Sequence, residues 1–147
     1  MIGAVFFDIQ KAFDSVPHKA LMAKLQQTGL NSNILVWVGN YLTCRRQTVL
    51  VKNQVHQTYL FSLSGLPQGS ILGPFLFLIY IDDLTHLSIS CGSHSVLYAD
   101  DLLLFRSIKS QEDFHLLQSD VSIIDDGVQQ NYLTLNSGDG NICFFFL

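Results

Sequence analysis

The sequence predicts an α+β fold. Three observations lead to this prediction: an apolar run rich in β-branched and aromatic residues near the start, several segments with helical spacing, and two apolar strands around a tight turn. At 147 residues the chain has the length of one domain, and no repeat, low-complexity tract or long linker divides it. We therefore expect residues 1–147 to form a single domain.

In the first half of the chain, one strand precedes two helices. The run "AVFFDI" predicts a central strand buried on both faces, and Asp8 ends it. Residues 18–27 have helical spacing, with Pro17 before them and Gly29 after them. The segment "NILVWVGNYL" predicts a second helix. Next, "RQTVLVKN" alternates as a strand does, ahead of a polar turn around Asn53.

The second half alternates between helices and strands. Pro74 suits the first turn of a helix that runs to about Leu84. The segment "SVLYADDLLLF" predicts two short strands around a tight turn, and residues 111–130 have helical spacing. At the end, "YLTLN" and "NICFFFL" are predicted to be strands on either side of the turn "SGDG".

The composition is apolar and slightly acidic. Hydrophobic residues make up 48% and charged residues 14%, whereas ordinary soluble domains have roughly 25% charged residues. Part of the surface is therefore expected to be covered within a larger protein. The net charge of −4 argues against a basic patch as the main contact with nucleic acid. The longest apolar stretch, residues 71–81, is too short to span a bilayer, so no membrane partner is expected.

Two similar strings, "YIDD" at residues 80–83 and "YADD" at residues 98–101, each carry adjacent carboxylates. The first follows a helical run, so its side chains diverge by about 100° per residue, and we interpret it as a solvated helix end. The second lies at the tip of an apolar hairpin without the Asn-Gly or Gly that such turns favour. A locally unfavourable turn is typical of a functional site, with an ordinary polar turn as the alternative.

A third carboxylate favours the second string as a metal site. Asp8 ends the other strongly buried strand, and placing that strand beside the hairpin would bring Asp8 and Asp100 to the same sheet edge. Carboxylates this close repel one another unless a cation neutralises them. Two Mg²⁺ ions about 3.5–4 Å apart would stabilise the attacking and leaving oxygens of an in-line phosphoryl displacement.

Three segments, in order, now form a pattern. "FFDIQKAFDSVPH", "GLPQGSILGPFLFLIYIDDL" and "YADDLLLF" resemble motifs A, B and C of the reverse transcriptase palm, in the form found in non-LTR retrotransposons of the jockey and chicken-repeat type. The resemblance covers residues 5–136. It implies a polymerase palm, an antiparallel sheet packed on one face by helices. It also implies an RNA-directed DNA polymerase that uses two Mg²⁺, or Mn²⁺ in their place, to join dNTPs to a DNA primer 3′-OH on an RNA template.

The resemblance assigns the acidic residues. Asp8 matches the motif A aspartate, and Asp100 and Asp101 match motif C, so these three are the implied catalytic residues and metal ligands. The string "YIDDL" matches the end of the motif B helix, with Asp82 where relatives commonly have Asn. Asp14 matches an acid frequent in motif A and is expected to be structural.

The resemblance also implies contacts with nucleotide and template. Phe13 falls at the steric-gate position, where an aromatic ring blocks a ribose 2′-OH; core packing is the alternative interpretation. Gln68 and Gly69 match the loop that lies against the incoming nucleotide and template. Tyr98 matches the aromatic residue that approaches the primer end.

Other parts of the family pattern are missing or altered. The chain begins seven residues ahead of Asp8 and stops where a thumb would begin, so we expect it to lack most of the fingers and all of the thumb, and to need both. The motif D region is degenerate. Gly127 stands where relatives carry Trp, and "SGDGN" lacks the Lys that follows the position of Asn136. That Lys is a proposed general acid, a role worth typically about 10²–10⁴-fold.

These departures leave a second function open. The alternative is a non-catalytic, truncated retrotransposon remnant without activity of its own. In either case the retrotransposon class implies a nuclear or cytoplasmic location.

Overall fold

The computed structural model describes residues 1–43, 49–51, 54–56, 64–136 and 143–146. The described residues have the α+β fold predicted from the sequence. Most predicted helices and strands are present within a few residues of their expected bounds. In chain order they are β1 (Ile2–Asp8), α1 (Ala12–Ser15), α2 (His18–Gln27), α3 (Ser32–Leu42), β2 (Val49–Val51), β3 (Gln54–His56), α4 (Leu72–Ile81), a 3₁₀ helix (Asp82–His86), β4 (Ser93–Tyr98), β5 (Asp101–Ser107), α5 (Gln111–Gln130) and β6 (Cys143–Phe146).

The main sheet has four strands in the order β4-β5-β1-β6, and each neighbouring pair is antiparallel. Strands β4 and β5 form the predicted hairpin, and β1 lies directly beside β5. A separate hairpin consists of β2 and β3. The antiparallel sheet implied by the resemblance is therefore confirmed, and β1 is one of its two inner strands.

Helices cover one face of this sheet. Alternate residues of β1 and β5 point into the core: Val5, Phe7, Leu102 and Leu104 are each at most 2% exposed. The expectation that β1 is buried on both faces is wrong, because Phe6, on the opposite face, is 45% exposed. The helices supply the other half of the core through Leu21, Leu25, Phe77, Ile81, Leu117 and Ile124.

A network around Asp113 joins α5 to β5. Ser110 and Asp113 form a capping box at the start of the helix, and the Arg106 side chain lies 3.1 Å from Asp113 Oδ1. Hydrogen bonds from the Lys109 backbone N–H and the Ser110 side chain are the main reasons why the pKa of Asp113 is lowered to about 2. The charged form of Asp113 thus stabilises both the helix end and its contact with the sheet.

The end of the chain departs from the prediction. "YLTLN" forms only an isolated bridge between Leu135 and Ile9, because the backbone turns at Tyr132, where φ is 55°. Strand β6 is present but pairs with β1. The predicted turn "SGDG", residues 46–48 of the predicted strand and the predicted polar turn at residues 52–53 lie outside the described residues. No helix in the described part of the chain is both long and apolar enough to cross a bilayer.

Candidate active site

A row of side chains crosses three strands at one end of the sheet. Asp8, the last residue of β1, lies opposite Asp101, the first residue of β5. Asp101 in turn lies opposite Tyr98, the last residue of β4. Directly opposite residues of antiparallel strands point to the same face, with Cβ atoms about 4.5–5.5 Å apart. The alternation along β1 and β5 puts this row on the face that the helices leave open.

The third predicted acid lies in the turn beside this row. Ala99 and Asp100 connect β4 to β5, and Ala99 has a φ of 53°. The sequence predicts Asp8 and Asp100 at the same sheet edge, and the residue directly opposite Asp8 in the ladder is Asp101. The two-residue turn takes up Asp100, so that the ladder begins one residue later. The positive φ of Ala99 is unfavourable for a residue with a Cβ atom by about 1–2 kcal/mol.

The donor chemistry at this sheet end fits a divalent cation. Asp8, Asp100 and Asp101 all carry carboxylates, the hard oxygen ligands that Mg²⁺ and Mn²⁺ prefer. In the described residues, however, no three His, Cys, Asp or Glu side chains converge into a group that could hold a metal. The carboxylates therefore fit a cation in ligand type and backbone position, without forming a closed ligand set.

Asn136 contacts the first of these acids. Its side-chain Nδ2 donates a hydrogen bond of 2.9 Å to Asp8 Oδ2, and its backbone N–H donates one of 2.9 Å to the Asp8 carbonyl oxygen. The sequence does not predict this contact. The order of residues carries no signal for it, because the two residues are 128 positions apart.

Three residues predicted to contact nucleotide or template line one open pocket. Phe13, Gln68 and Gly69 surround a pocket of about 560 Å³ together with residues at the start of α4. Phe13 is half-buried, and its ring centroid lies 4.7 Å from that of Phe77. The ring of Phe13 thus packs on the core and also lines the pocket, and its role as a steric gate stays a prediction.

The loop that carries Gln68 is held against α1. The Leu66 backbone N–H donates to the Phe13 carbonyl oxygen at 2.7 Å, and Gln68 Nε2 donates to Asp14 Oδ1 at 3.0 Å. Gly65 has a φ of 92°, and a Cβ there would lie 3.1 Å from the Asp14 carbonyl oxygen. Asp14 thus has the structural role expected for it. Its contact with the predicted nucleotide-binding loop was not expected.

The string "YIDD" serves the packing of helices. Tyr80 is fully buried, and its hydroxyl donates to the Asn131 carbonyl oxygen at 2.5 Å. Burial first, and the Asp83 charge second, raise the pKa of Tyr80 to about 12. Lys24 Nζ lies 2.9 Å from Asp83 Oδ1 and also donates to Asn131 Oδ1 and the Tyr80 carbonyl oxygen. The interpretation as a solvated helix end therefore fits the exposed Asp82 but is incomplete for Asp83.

The sheet is antiparallel and has helices on one face. Acids lie at one end of its open face, and a pocket lies beside the loop held against α1. This is the arrangement of a polymerase palm. The family described as "Reverse transcriptase (RNA-dependent DNA polymerase)" matches residues 2–138. The chain therefore belongs to the reverse transcriptase family.

Proteins of mobile elements are its relatives. The chain is 30% identical to "Probable RNA-directed DNA polymerase from transposon X-element" of Drosophila melanogaster, over 97% of the chain and 16% of that protein. It is 29% identical to "RNA-directed DNA polymerase from mobile element jockey" of Drosophila funebris, again over 97% of the chain and 16% of the relative. A Pol polyprotein of element R2 from Popillia japonica is 28% identical over 69% of the chain and 18% of the polyprotein.

The predicted resemblance to non-LTR retrotransposon reverse transcriptases is thus confirmed. The chain spans less than a fifth of the length of each of these relatives.

Proposed function

We propose that this chain is the palm of an RNA-directed DNA polymerase and that residues 1–147 act as one domain. The observation that supports this most is the position of Asp8 opposite Asp101, with Asp100 in the adjoining turn. Asp8, Asp100 and Asp101 would hold two Mg²⁺ ions, for which Mn²⁺ can substitute. The substrates are a dNTP and a DNA primer annealed to an RNA template.

The reaction is a nucleotidyl transfer. The primer 3′-oxygen loses its proton and attacks the α-phosphorus of the dNTP, and the bond from that phosphorus to the pyrophosphate oxygen breaks. Bound divalent cations would supply charge stabilisation at the attacking and leaving oxygens. The three carboxylates would supply the negative charge that holds such cations at this end of the sheet.

The pocket and the row of side chains would contact the substrates. Phe13 is held by its packing on Phe77, so its ring is suited to block a ribose 2′-OH. Gln68 and Gly69 line the same pocket and would lie against the dNTP and template. Tyr98 is 80% exposed beside Asp101, which suits a contact with the primer end.

The active polymerase would also use fingers and thumb segments to hold the nucleic acid. The net charge of −4 supports this, because the chain lacks the basic excess that phosphate backbones attract. The family background further suggests a nuclear or cytoplasmic location.

Two measurements on the 147-residue chain test the proposal: Mn²⁺ binding followed by electron paramagnetic resonance, and extension of a DNA primer on an RNA template. Asp100→Asn is compared with Asp82→Asn, which removes the same charge from an exposed acid of the other string. Asp100→Asn should weaken Mn²⁺ binding and lower dNTP incorporation at least about 100-fold. Asp82→Asn should match the parent in both measurements.

The alternative makes the opposite prediction. A non-catalytic remnant neither binds Mn²⁺ in a way that depends on Asp100 nor incorporates dNTPs. If the parent chain and both variants behave alike in the two measurements, the alternative replaces the proposal. Mn²⁺ binding that depends on Asp100, without extension, would support the metal site and the need for additional segments.

A further inference from the structure

Asn136 holds Asp8 by its backbone and its side chain together. The backbone N–H donates to the Asp8 carbonyl oxygen at 2.9 Å, and Nδ2 donates to Asp8 Oδ2 at 2.9 Å. Both residues are half-buried at the end of the sheet. Asn136 thus contacts both the backbone and the carboxylate of Asp8, and two hydrogen bonds restrict Asp8 more than one would.

The segment that carries Asn136 is itself fixed along the continuation of β1. The Gln10 backbone N–H donates to the Thr134 carbonyl oxygen at 2.8 Å, and Leu135 forms a bridge with Ile9. Leu133, just before this bridge, is 1% exposed in the core. The Asn136 amide therefore approaches Asp8 from a backbone that is anchored on its N-terminal side.

The chemistry of an amide suits a carboxylate that must remain available. A carboxylate has about four lone-pair sites on its two oxygens, so one amide N–H leaves about three free. An amide is neutral, so it orients the carboxylate without cancelling the negative charge that a cation needs. A Lys in this place would form an ion pair and compete with the cation. The bond also lowers the electrostatic cost of placing Asp8 opposite Asp101.

We propose that Asn136 is a positioning residue that holds the Asp8 carboxylate in the orientation required for divalent-cation binding. This inference rests on the proposed function, in which Asp8 is a metal ligand. Residues that orient a metal ligand through a hydrogen bond typically change metal affinity about 10–100-fold when they are removed.

The test compares Asn136→Ala with Thr134→Ala in the 147-residue chain. Asn136→Ala removes the side-chain donor and keeps the backbone bond. Thr134→Ala is a matched control, because Thr134 lies in the same segment and its hydroxyl donates to Gln10 Oε1 at 3.2 Å. Asn136→Ala should weaken Mn²⁺ binding about 10–100-fold, whereas Thr134→Ala should leave it within about twofold.

A second measurement separates this role from the metal function itself. Three-bond couplings of the Asp8 β-protons should show one side-chain rotamer in the metal-free parent and an average of several in Asn136→Ala. A variant that is destabilised but keeps the parent rotamer and Mn²⁺ affinity would show a merely structural role and overturn the inference. If the parent chain binds no Mn²⁺, the proposed function fails. If the Asp8 rotamer is unchanged in Asn136→Ala, only the proposed role of Asn136 is contradicted.

Discussion

At the residue scale, Lys24 contacts two residues of the string "YIDD", Tyr80 and Asp83. Its ammonium group lies 2.9 Å from Asp83 and 4.6 Å from the centroid of the Tyr80 ring. The Asn131 side chain completes the network by donating to Asp83 at 3.0 Å. Asp83, in the 3₁₀ helix that follows α4, therefore contacts both α2 and the residue at the end of α5. By contrast, Asp101, which has the equivalent place in "YADD", lies in the sheet opposite Asp8.

The network around Lys24 yields a prediction for stability. Lys24→Met keeps most of the side-chain volume but removes the donor to Asp83, Asn131 and the Tyr80 carbonyl oxygen. We expect the free energy of unfolding to fall by about 1–3 kcal/mol, because these acceptors lose their partner in a partly buried place. Urea denaturation followed by circular dichroism measures this change.

Lys19→Met is the control for this prediction, since Lys19 is exposed on the same helix. It should change the free energy of unfolding by no more than about 0.5 kcal/mol. Equal effects of the two substitutions would show that the Lys24 contacts contribute nothing specific.

At the scale of elements, the β4–β5 hairpin combines a sound ladder with an unfavourable turn. All six residues of β4 have partners in β5, yet Ala99 adopts a φ of 53° without being Gly. The strain is tolerated because the paired strands on both sides determine the path of the turn. The same path places Asp100 beside the row formed by Tyr98, Asp101 and Asp8.

A Gly substitution usually destabilises a folded protein, but in this turn we expect it to stabilise the chain. Ala99→Gly should raise the free energy of unfolding by about 1 kcal/mol, since Gly adopts positive φ without the Cβ penalty. As a control, Ala23→Gly on the exposed face of α2 should lower it by about 0.5–1 kcal/mol. Thermal and urea unfolding of the two variants provide the comparison. A loss of stability in Ala99→Gly would mean that the turn is not strained in the folded chain.

At the scale of the whole molecule, the single layer of helices creates two unlike faces of the sheet. The face toward the helices contains Leu104, which is fully buried, whereas Phe6 and Val96 on the other face are 45% and 52% exposed. The open face carries the acids at one end and exposes Phe6 and Val96 beyond them. Exposed apolar side chains on one face of a sheet are typical of a surface that contacts other protein segments.

Because helices cover only one face of the sheet, Leu→Ala substitutions at adjacent positions of β5 should lower the free energy of unfolding by unequal amounts. Leu104→Ala should lower the free energy of unfolding by about 2–5 kcal/mol, because it leaves a cavity in the core. Leu103→Ala, on the open face where Leu103 is only half-buried, should cost less than about 1 kcal/mol in the isolated chain. Similar losses for both variants, measured by urea denaturation, would contradict a sheet covered on one face.

Elements with local signals were predicted well. Pro17 and Gly29 bracket α2, and residues 18–27 form a helix with the predicted bounds. Strand β1 also ends at Asp8 as expected. The error of burying both faces of β1 has a physical cause, since a continuous apolar run occurs both in a fully covered strand and in a strand whose open face is apolar.

By itself, the sequence determined the class of the fold and most helix and strand positions. It also determined the ordered motifs, containing Asp8, Asp100 and Asp101, by which the chain resembles the reverse transcriptase family. These features depend on residue type and local spacing. Only the tertiary structure decided that Asp8 faces Asp101, that Asp83 pairs with Lys24 and that Asn136 holds Asp8. Strand register and contacts between distant residues are set by the packing of the whole sheet and its helices, and local spacing carries no record of them.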